Sequence, residues 1–239
     1  MKTKNLISVV FAVALLLATN VTAVIGLTDN SWVTSEMIEQ AIKEDEERQM
    51  IIDRKPIYSI QEDGSLVLED ARVNRNELLS LKATTSGTYP RGSKKKGTVL
   101  YTKDTKIKIM GVVGHAAIVA DNKENDSKVV ESTISGVVYG PNTWNTKSHC
   151  RAAVVSSLSV AKRAAVADKC AGWLNKPYNT DYTNTSTRKK FYCSQLVWAG
   201  YWDKYSVNID DNAFNGNTNI VYPSELISSS KTKLVYSKG

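Results

Sequence analysis

The stretch Phe191-Tyr192-Cys193-Ser194-Gln195-Leu196-Val197-Trp198 places a cysteine directly before an apolar run with helical spacing. Gly and Pro are nearly absent from Ser194 to Tyr205, and this pattern predicts a helix that begins at or just after Cys193. The partial positive charge at a helix N-terminus favours the thiolate form of a cysteine, which is the nucleophilic form. Cys193 is therefore the candidate nucleophile, although a buried core position is the alternative for a lone cysteine.

A histidine and a glutamate upstream supply the groups that a cysteine nucleophile requires. Strands are predicted at 116–120 and 129–133, with a turn near residue 124 between them. In such a hairpin position 115 pairs near position 133, so Glu131 lies one diagonal step from His115 on the same face. His115 is the candidate general base and Glu131 the carboxylate that orients its ring. Each residue taken alone is also compatible with a structural role.

The order of the predicted elements indicates an α+β fold in which helices follow a sheet. The strands are expected at 98–101, 107–109, 116–120, 129–133, 137–139 and 152–156. A helix is expected at 160–174, because its apolar residues lie on roughly one face. The sequence contains no internal repeat.

Charge divides the chain into two parts. The 239 residues are 42% hydrophobic, which suffices for one ordinary globular core, and carry a formal net charge of +7. Residues 24–90 contain 13 acidic and 7 basic side chains, whereas residues 91–239 contain 11 acidic and 22 basic ones. The stretch 83–97, rich in Thr, Ser, Gly and Lys, predicts a linker, so the domain boundary is expected near residue 90.

The acidic part is too small for an independent core. It predicts a helix with Thr34 as its N-cap, followed by a hairpin whose strands are 57–60 and 66–68. Its charge complements that of residues 91–239, so it is expected to dock there as a pro-segment or regulatory arm. The alternative is a solvated acidic extension.

The first 23 residues predict a signal peptide. Two lysines precede the apolar run 6–18, which is too short to span a bilayer stably, and Val21-Thr22-Ala23 is a plausible cleavage site. The mature protein is therefore expected to be secreted or associated with a bacterial cell wall. An uncleaved N-terminal anchor is the alternative interpretation.

The remaining cysteines and the second histidine give no pattern typical of a metal site. His149 stands beside Cys150 with no further Cys or His at ligand spacing, so we expect no metal and no cofactor. Cys150 and Cys170 can form a disulfide bond in an oxidising compartment, which leaves Cys193 free. The basic residues are dispersed and no nucleic-acid motif accompanies them, so nucleic acid is not an expected partner.

Several short motifs occur together in one characteristic order. They are Gly114-His115-Ala116-Ala117-Ile118-Val119, Val130-Glu131-Ser132, Gly136-Val137-Val138, Trp144, Lys176-Pro177-Tyr178-Asn179, the Cys193 stretch quoted above, and Tyr222-Pro223-Ser224-Glu225-Leu226. In this order the sequence resembles the circularly permuted group of NlpC-type papain-like cysteine hydrolases, which includes the YiiX-like proteins. In that group the histidine strand precedes the cysteine helix. The resemblance covers roughly residues 97 to 227.

The resemblance implies a fold and a set of roles. The fold is a papain-like domain over residues 91–239, with an antiparallel sheet or small barrel packed against helices. Cys193 is the implied nucleophile, His115 the base and Glu131 the orienting residue, which agrees with the roles inferred from spacing. Tyr178 and Tyr192 are the implied substrate-binding residues. Asn175-Lys176 replaces the glycine usual before Pro-Tyr in these families, and this departure concerns the shape of the cleft.

The implied activity is that of an exported amidase or peptidase. It forms a thioacyl-enzyme, and its expected substrate is bacterial cell-wall peptide. The alternatives are an acyltransferase, or an amidase or esterase directed at lipid-like substrates. The basic charge of residues 91–239 favours an anionic wall or membrane surface as a partner. A further alternative is a non-enzymatic module that binds wall or lipid.

Overall fold

One open sheet of eight strands organises the chain. The computed structural model describes residues 33–70, 86–105, 108–109, 111–210 and 220–239. The strands are β1 Ile57–Ile60, β2 Leu66–Asp70, β3 Val99–Thr102, β4 Lys108–Ile109, β5 Val112–Val113, β6 His115–Val119, β7 Lys128–Thr133, β8 Gly136–Pro141, β9 Cys150–Val155 and β10 Thr232–Lys238. Their order in the sheet is β2-β1-β10-β9-β3-β6-β7-β8, and β4 pairs separately with β5.

The described residues form four α-helices, which pack against this sheet or at its end. They are α1 Ser35–Arg54, α2 Val160–Ala171, α3 Cys193–Tyr205 and α4 Glu225–Ser228, and a short 3-10 helix spans Trp144–Thr146. Helix α3 contacts α2 on one side and strands β6 and β7 on the other. Its first residue is therefore held against the strands that carry the histidine and the glutamate.

The sheet is mixed and does not close into a barrel. Strand β1 pairs with β10 in parallel, whereas the other pairs of the sheet are antiparallel. Strands β2 and β8 form its two edges. The α+β fold is confirmed. Within residues 91–239 the pairs of this sheet are all antiparallel, which is the first of the two arrangements expected, and the alternative of a small barrel is wrong because the sheet stays open.

The predicted hairpin and helices agree closely with the structure. Ala117 lies opposite Glu131 in the pair β6 and β7, which is the register expected from a turn near residue 124. Helix α2 ends at Ala171, three residues earlier than predicted, and Gly172 caps it. Helix α3 begins at Cys193 itself.

Alternate residues of the central strands face two hydrophobic clusters. Val99 and Tyr101 belong to the larger cluster, which contains the helices, whereas Leu100 between them belongs to the smaller one. Cys170 lies in the larger cluster and Cys150 in the smaller one, and both thiols are free. The expected disulfide bond between them is therefore wrong, because the sheet separates the two residues.

The acidic N-terminal part packs onto the rest of the chain. Helix α1 begins after Thr34, whose Oγ1 accepts a hydrogen bond from the Met37 N–H at 3.2 Å. Ile52 and Ile57 are fully buried, and β1 adds a parallel strand beside β10. The part of the predicted linker from residue 86 onward also lies against the sheet, where Ser86 and Ser237 form an isolated bridge. Whether the acidic part is removed or regulates the rest stays a prediction.

The predicted signal peptide and its cleavage site lie outside the described residues. Among the helices that are described, none combines the length and the apolar character needed to cross a bilayer.

Candidate active site

Cys193 is the first residue of helix α3 and is fully buried. Tyr192 has an extended backbone and ends the preceding segment. Its N–H donates to Oε1 of Gln195 at 3.1 Å, which satisfies a backbone donor at the start of the helix. The same Oε1 accepts a hydrogen bond from Asn179 Nδ2 at 3.0 Å. The helix start is thus fixed by buried hydrogen bonds, and Cys193 lies at the positive end of the helix dipole.

His115 and Glu131 meet through the register of β6 and β7. His115 lies two residues before Ala117, which is opposite Glu131, so the two side chains share one face of the sheet. The distance between His115 Nε2 and Glu131 Oε2 is 2.7 Å. Because Glu131 occupies Nε2, Nδ1 is the ring nitrogen left to exchange a proton with Cys193.

The thiol and the imidazole shift each other's pKa. Burial lowers the pKa of His115, but hydrogen bonds with Cys193 and Glu131 outweigh it and raise that pKa from 6.5 to about 9. Burial raises the pKa of the Cys193 thiol, but the hydrogen bond and positive charge of His115 outweigh it, so the net shift is downward from 9.0. These opposite shifts favour a thiolate paired with an imidazolium at neutral pH.

Trp144 covers the imidazole from one side. Its ring stacks on that of His115 with the centroids 5.4 Å apart and the planes inclined by 22°. The indole is almost fully buried and belongs to the smaller hydrophobic cluster. Sequence reasoning gave Trp144 no role, since only its place in the ordered set of motifs distinguished it from a core aromatic residue.

Tyr178 lies next to Cys193. Its backbone forms a parallel bridge with Phe191, two residues before the cysteine. Burial raises the pKa of the Tyr178 hydroxyl, and the nearby Cys193 thiolate and Tyr182 raise it further. The hydroxyl therefore stays protonated, and it lies within electrostatic range of the Cys193 sulfur atom. The structure brings Tyr178 to the site, and its role in substrate binding stays a prediction.

Asn175 explains the departure from the usual glycine before Pro-Tyr. Its φ is 66°, in the left-handed region, where glycine carries no penalty and asparagine is the next most tolerated type. Its N–H donates to the Val137 carbonyl at 2.9 Å, and the Lys176 carbonyl accepts from the Val137 N–H at 2.8 Å. These bonds hold the turn before Tyr178 against the start of β8.

Tyr192 occupies a different environment from that expected for a substrate-binding residue. Its ring is fully buried, and its hydroxyl accepts a hydrogen bond from the Val221 N–H at 2.9 Å. These contacts favour a role in holding the segment before α4 against the cysteine helix. Binding of substrate by Tyr192 stays a prediction.

His149 lies apart from this cluster. Burial and the neighbouring Arg151 lower its pKa from 6.5 to about 3, so the ring is neutral. Its Nδ1 accepts a hydrogen bond from the Lys103 N–H at 3.3 Å. Within the described ranges, no group of three or more His, Cys, Asp or Glu side chains is arranged to hold a metal ion.

Comparison with known proteins gives three similarities. Residues 94–236 match the model of the C92 family, which is described as permuted papain-like amidase enzymes of the YaeF/YiiX type. The uncharacterized protein YycO of Bacillus subtilis strain 168 is 28% identical over 173 residues, covering 70% of this chain and 66% of YycO. The crystal structure of the metalloprotein YiiX from Escherichia coli O157:H7 aligns with a TM-score of 0.47 and 17% identity, over 63% of this chain and 99% of that chain.

Proposed function

Because this chain belongs to the C92 family of permuted papain-like amidases, we propose that it is a cysteine hydrolase whose nucleophile is Cys193, with His115 as base and Glu131 as orienting carboxylate. The observation that carries the assignment is the buried pair of His115 and Glu131, 2.7 Å apart, together with the effect of His115 and Cys193 on each other, which lowers the pKa of the thiol and raises that of the imidazole. Such a pair supplies a nucleophile and a proton donor at the same pH.

The reaction proceeds through a thioacyl-enzyme. The Cys193 thiolate attacks the carbonyl carbon of an amide, and the C–N bond breaks as the His115 imidazolium donates its proton to the leaving nitrogen. His115, now neutral, takes a proton from water, and the resulting hydroxide equivalent attacks the thioester. The sulfur leaves as thiolate and the acid is released, which restores the starting pair.

Two donors are placed to stabilise the oxyanion of the tetrahedral intermediate. The backbone N–H of Cys193 lies at the start of α3, where the helix leaves N–H groups without intrahelical partners. We assign the Tyr178 hydroxyl as the second donor, because it is protonated and lies within electrostatic range of the sulfur atom. Tyr178→Phe is expected to lower turnover while leaving the alkylation of Cys193 unchanged.

We propose bacterial cell-wall peptide as the substrate and an exported location for the enzyme. Lys2 and Lys4 before the apolar run 6–18 support export, and the excess of 22 basic over 11 acidic residues in 91–239 favours anionic wall polymers. An amidase, esterase or acyltransferase that acts on lipid-like acyl groups is the second candidate, since a thioacyl-enzyme can be resolved by water or by another acceptor.

The test compares the wild type with Cys193→Ala on both substrate classes. Cell-wall peptides and acyl amides or esters are incubated with each protein, and released amines or acids are quantified, while mass spectrometry detects an acyl group on the Cys193 peptide. Cys150→Ala is the matched control, because burial raises the pKa of that thiol to about 12 and keeps it unreactive. Turnover that survives Cys193→Ala contradicts the proposal. Binding of wall or lipid without turnover by the wild type favours the non-enzymatic module.

A further inference from the structure

A glycine lies near the end of the edge strand β8, directly beside Glu131. Gly140 lies on β8 opposite Val129, and Glu131 lies opposite Val138, so Gly140 is a diagonal neighbour of the glutamate on the same face. Glycine weakens a strand because it loses more conformational freedom on folding than other residues and has no side chain to pack. Its φ is not in the left-handed region, so the backbone conformation does not require glycine at this position.

The space above Gly140 is filled by the glutamate. A Cβ built on Gly140 would overlap Oε1 of Glu131 and lie 3.1 Å from its Cδ. The other oxygen, Oε2, is 2.7 Å from His115 Nε2. The carboxylate therefore occupies the space that a side chain at position 140 would fill, with Oε1 above Gly140 and Oε2 on the imidazole.

From this geometry we propose that Gly140 is a positioning residue. Because it has no side chain, it leaves room for Oε1 of Glu131, and this directs Oε2 toward His115. The inference rests on the proposed function, since it presumes that Glu131 orients the imidazole. It explains why a residue unfavourable in strands stands on β8 at this point. Gly140 acts on the reaction only through the side chain of Glu131.

A methyl group added at position 140 is expected to displace the carboxylate of Glu131. The atom that must yield is the end of a side chain rather than backbone, so the fold can accommodate Gly140→Ala by moving the carboxylate. Alanine also removes the conformational penalty of glycine in a strand. The contact between Glu131 and His115 is expected to be lost, and the gain from alanine in the strand offsets part of the cost in stability, so the variant is expected to stay folded.

The test is a double-mutant cycle read out by the alkylation of Cys193. The rate of iodoacetamide labelling is measured against pH in the full chain as wild type, Gly140→Ala, Glu131→Gln and the double variant. Gly140→Ala is expected to raise the labelling pKa and to slow labelling at neutral pH roughly tenfold, which corresponds to about one pKa unit. In the Glu131→Gln background the alanine is expected to have no further effect, because the two changes act through one contact.

The matched control is Gly172→Ala. This glycine caps helix α2 with φ −64° and is exposed, and its Cβ would approach no atom closer than the Lys169 carbonyl oxygen at 3.2 Å. It is expected to leave the labelling profile unchanged. If Gly140→Ala labels like the wild type, or if its effect adds fully to that of Glu131→Gln, the positioning role is wrong. If the wild type itself has no lowered labelling pKa, the proposed function fails instead.

Discussion

At the scale of residues, the chemistry depends on which of two opposing effects prevails at His115. Burial lowers the pKa of an imidazole, and at His149, where Arg151 and Lys103 add to this effect, that pKa falls to about 3. At His115 the hydrogen bonds with Cys193 and Glu131 reverse the sign and raise the pKa to about 9. A buried histidine is thus kept charged by its two partners, and removing either partner is expected to neutralise it.

Glu131→Gln tests the contribution of the carboxylate. Glutamine has the same shape but no negative charge, so burial is expected to dominate and the pKa of His115 to fall from about 9. The measurement is an NMR titration of the His115 ring proton, with Glu124→Gln as a control at an exposed carboxylate. Amide turnover is expected to fall by roughly 10²-fold or more, the usual contribution of general acid–base catalysis. An unchanged titration in Glu131→Gln would contradict the role of this residue.

At the scale of elements, local pairings were predictable and distant ones were not. The hairpin of β6 and β7 follows from the turn at 121–126 and the alternation of side chains, so the contact between His115 and Glu131 was available from sequence. The position of Cys193 at a helix start was available from the helical spacing of the apolar residues that follow it. Strand β1 pairs with β10, with Ile57 opposite Leu234, and nothing in the sequence of either strand predicts a partner so distant along the chain.

The turn before Pro177-Tyr178 gives a prediction at this scale. Asn175 has φ 66°, a conformation that costs a β-branched residue roughly 1–2 kcal/mol. Asn175→Val is therefore expected to lower the free energy of unfolding by about that amount, whereas Asn175→Gly is expected to be neutral or stabilising. Urea denaturation measures both. Lys176→Val is the control, because its φ is not positive, and equal stabilities of the valine and glycine variants would contradict the account.

At the scale of the whole molecule, a buried charge cluster joins the acidic segment to the family domain. Arg48 of α1 is 1% exposed, and its Nε donates to Ser224 Oγ at 3.0 Å. Its Nη1 lies 3.4 Å from Glu225 Oε1, and its guanidinium covers the Tyr222 ring at 4.9 Å. The adjoining Val221 carbonyl accepts from Ser194 Oγ at 2.7 Å, next to the candidate nucleophile. A segment outside the family match thus contributes to the support of the site.

Arg48→Met tests this connection. The change leaves the buried Glu225 carboxyl group without the cation that faces it, so the free energy of unfolding at neutral pH is expected to fall by about 3–5 kcal/mol. Burial and Asp210 already raise the pKa of Glu225. Because the pKa of Glu225 is raised in the folded protein, this group favours folding at a pH below its usual pKa of 4.5. That contribution is lost as the pH rises through the raised pKa. The deficit of the variant is therefore expected to shrink on acidification.

The control for this prediction is Arg54→Met, at an exposed position in the last turn of the same helix. It is expected to change stability by less than about 0.5 kcal/mol. Thermal and urea unfolding are followed in the full chain across the pH range. A loss in Arg48→Met no larger than that of the control would show that the acidic segment is not integral to the fold.

The central claim is that Cys193 and His115 form an activated thiolate and imidazolium pair. The most direct measurement is the pH dependence of iodoacetamide labelling at Cys193, resolved by peptide mass spectrometry, in the full chain and in its His115→Ala variant. The account predicts a labelling pKa below 9.0 in the wild type and, because burial then acts alone, a pKa above 9.0 in the variant. The same labelling pKa in both proteins, or a Cys193 that the reagent does not reach, would contradict the claim.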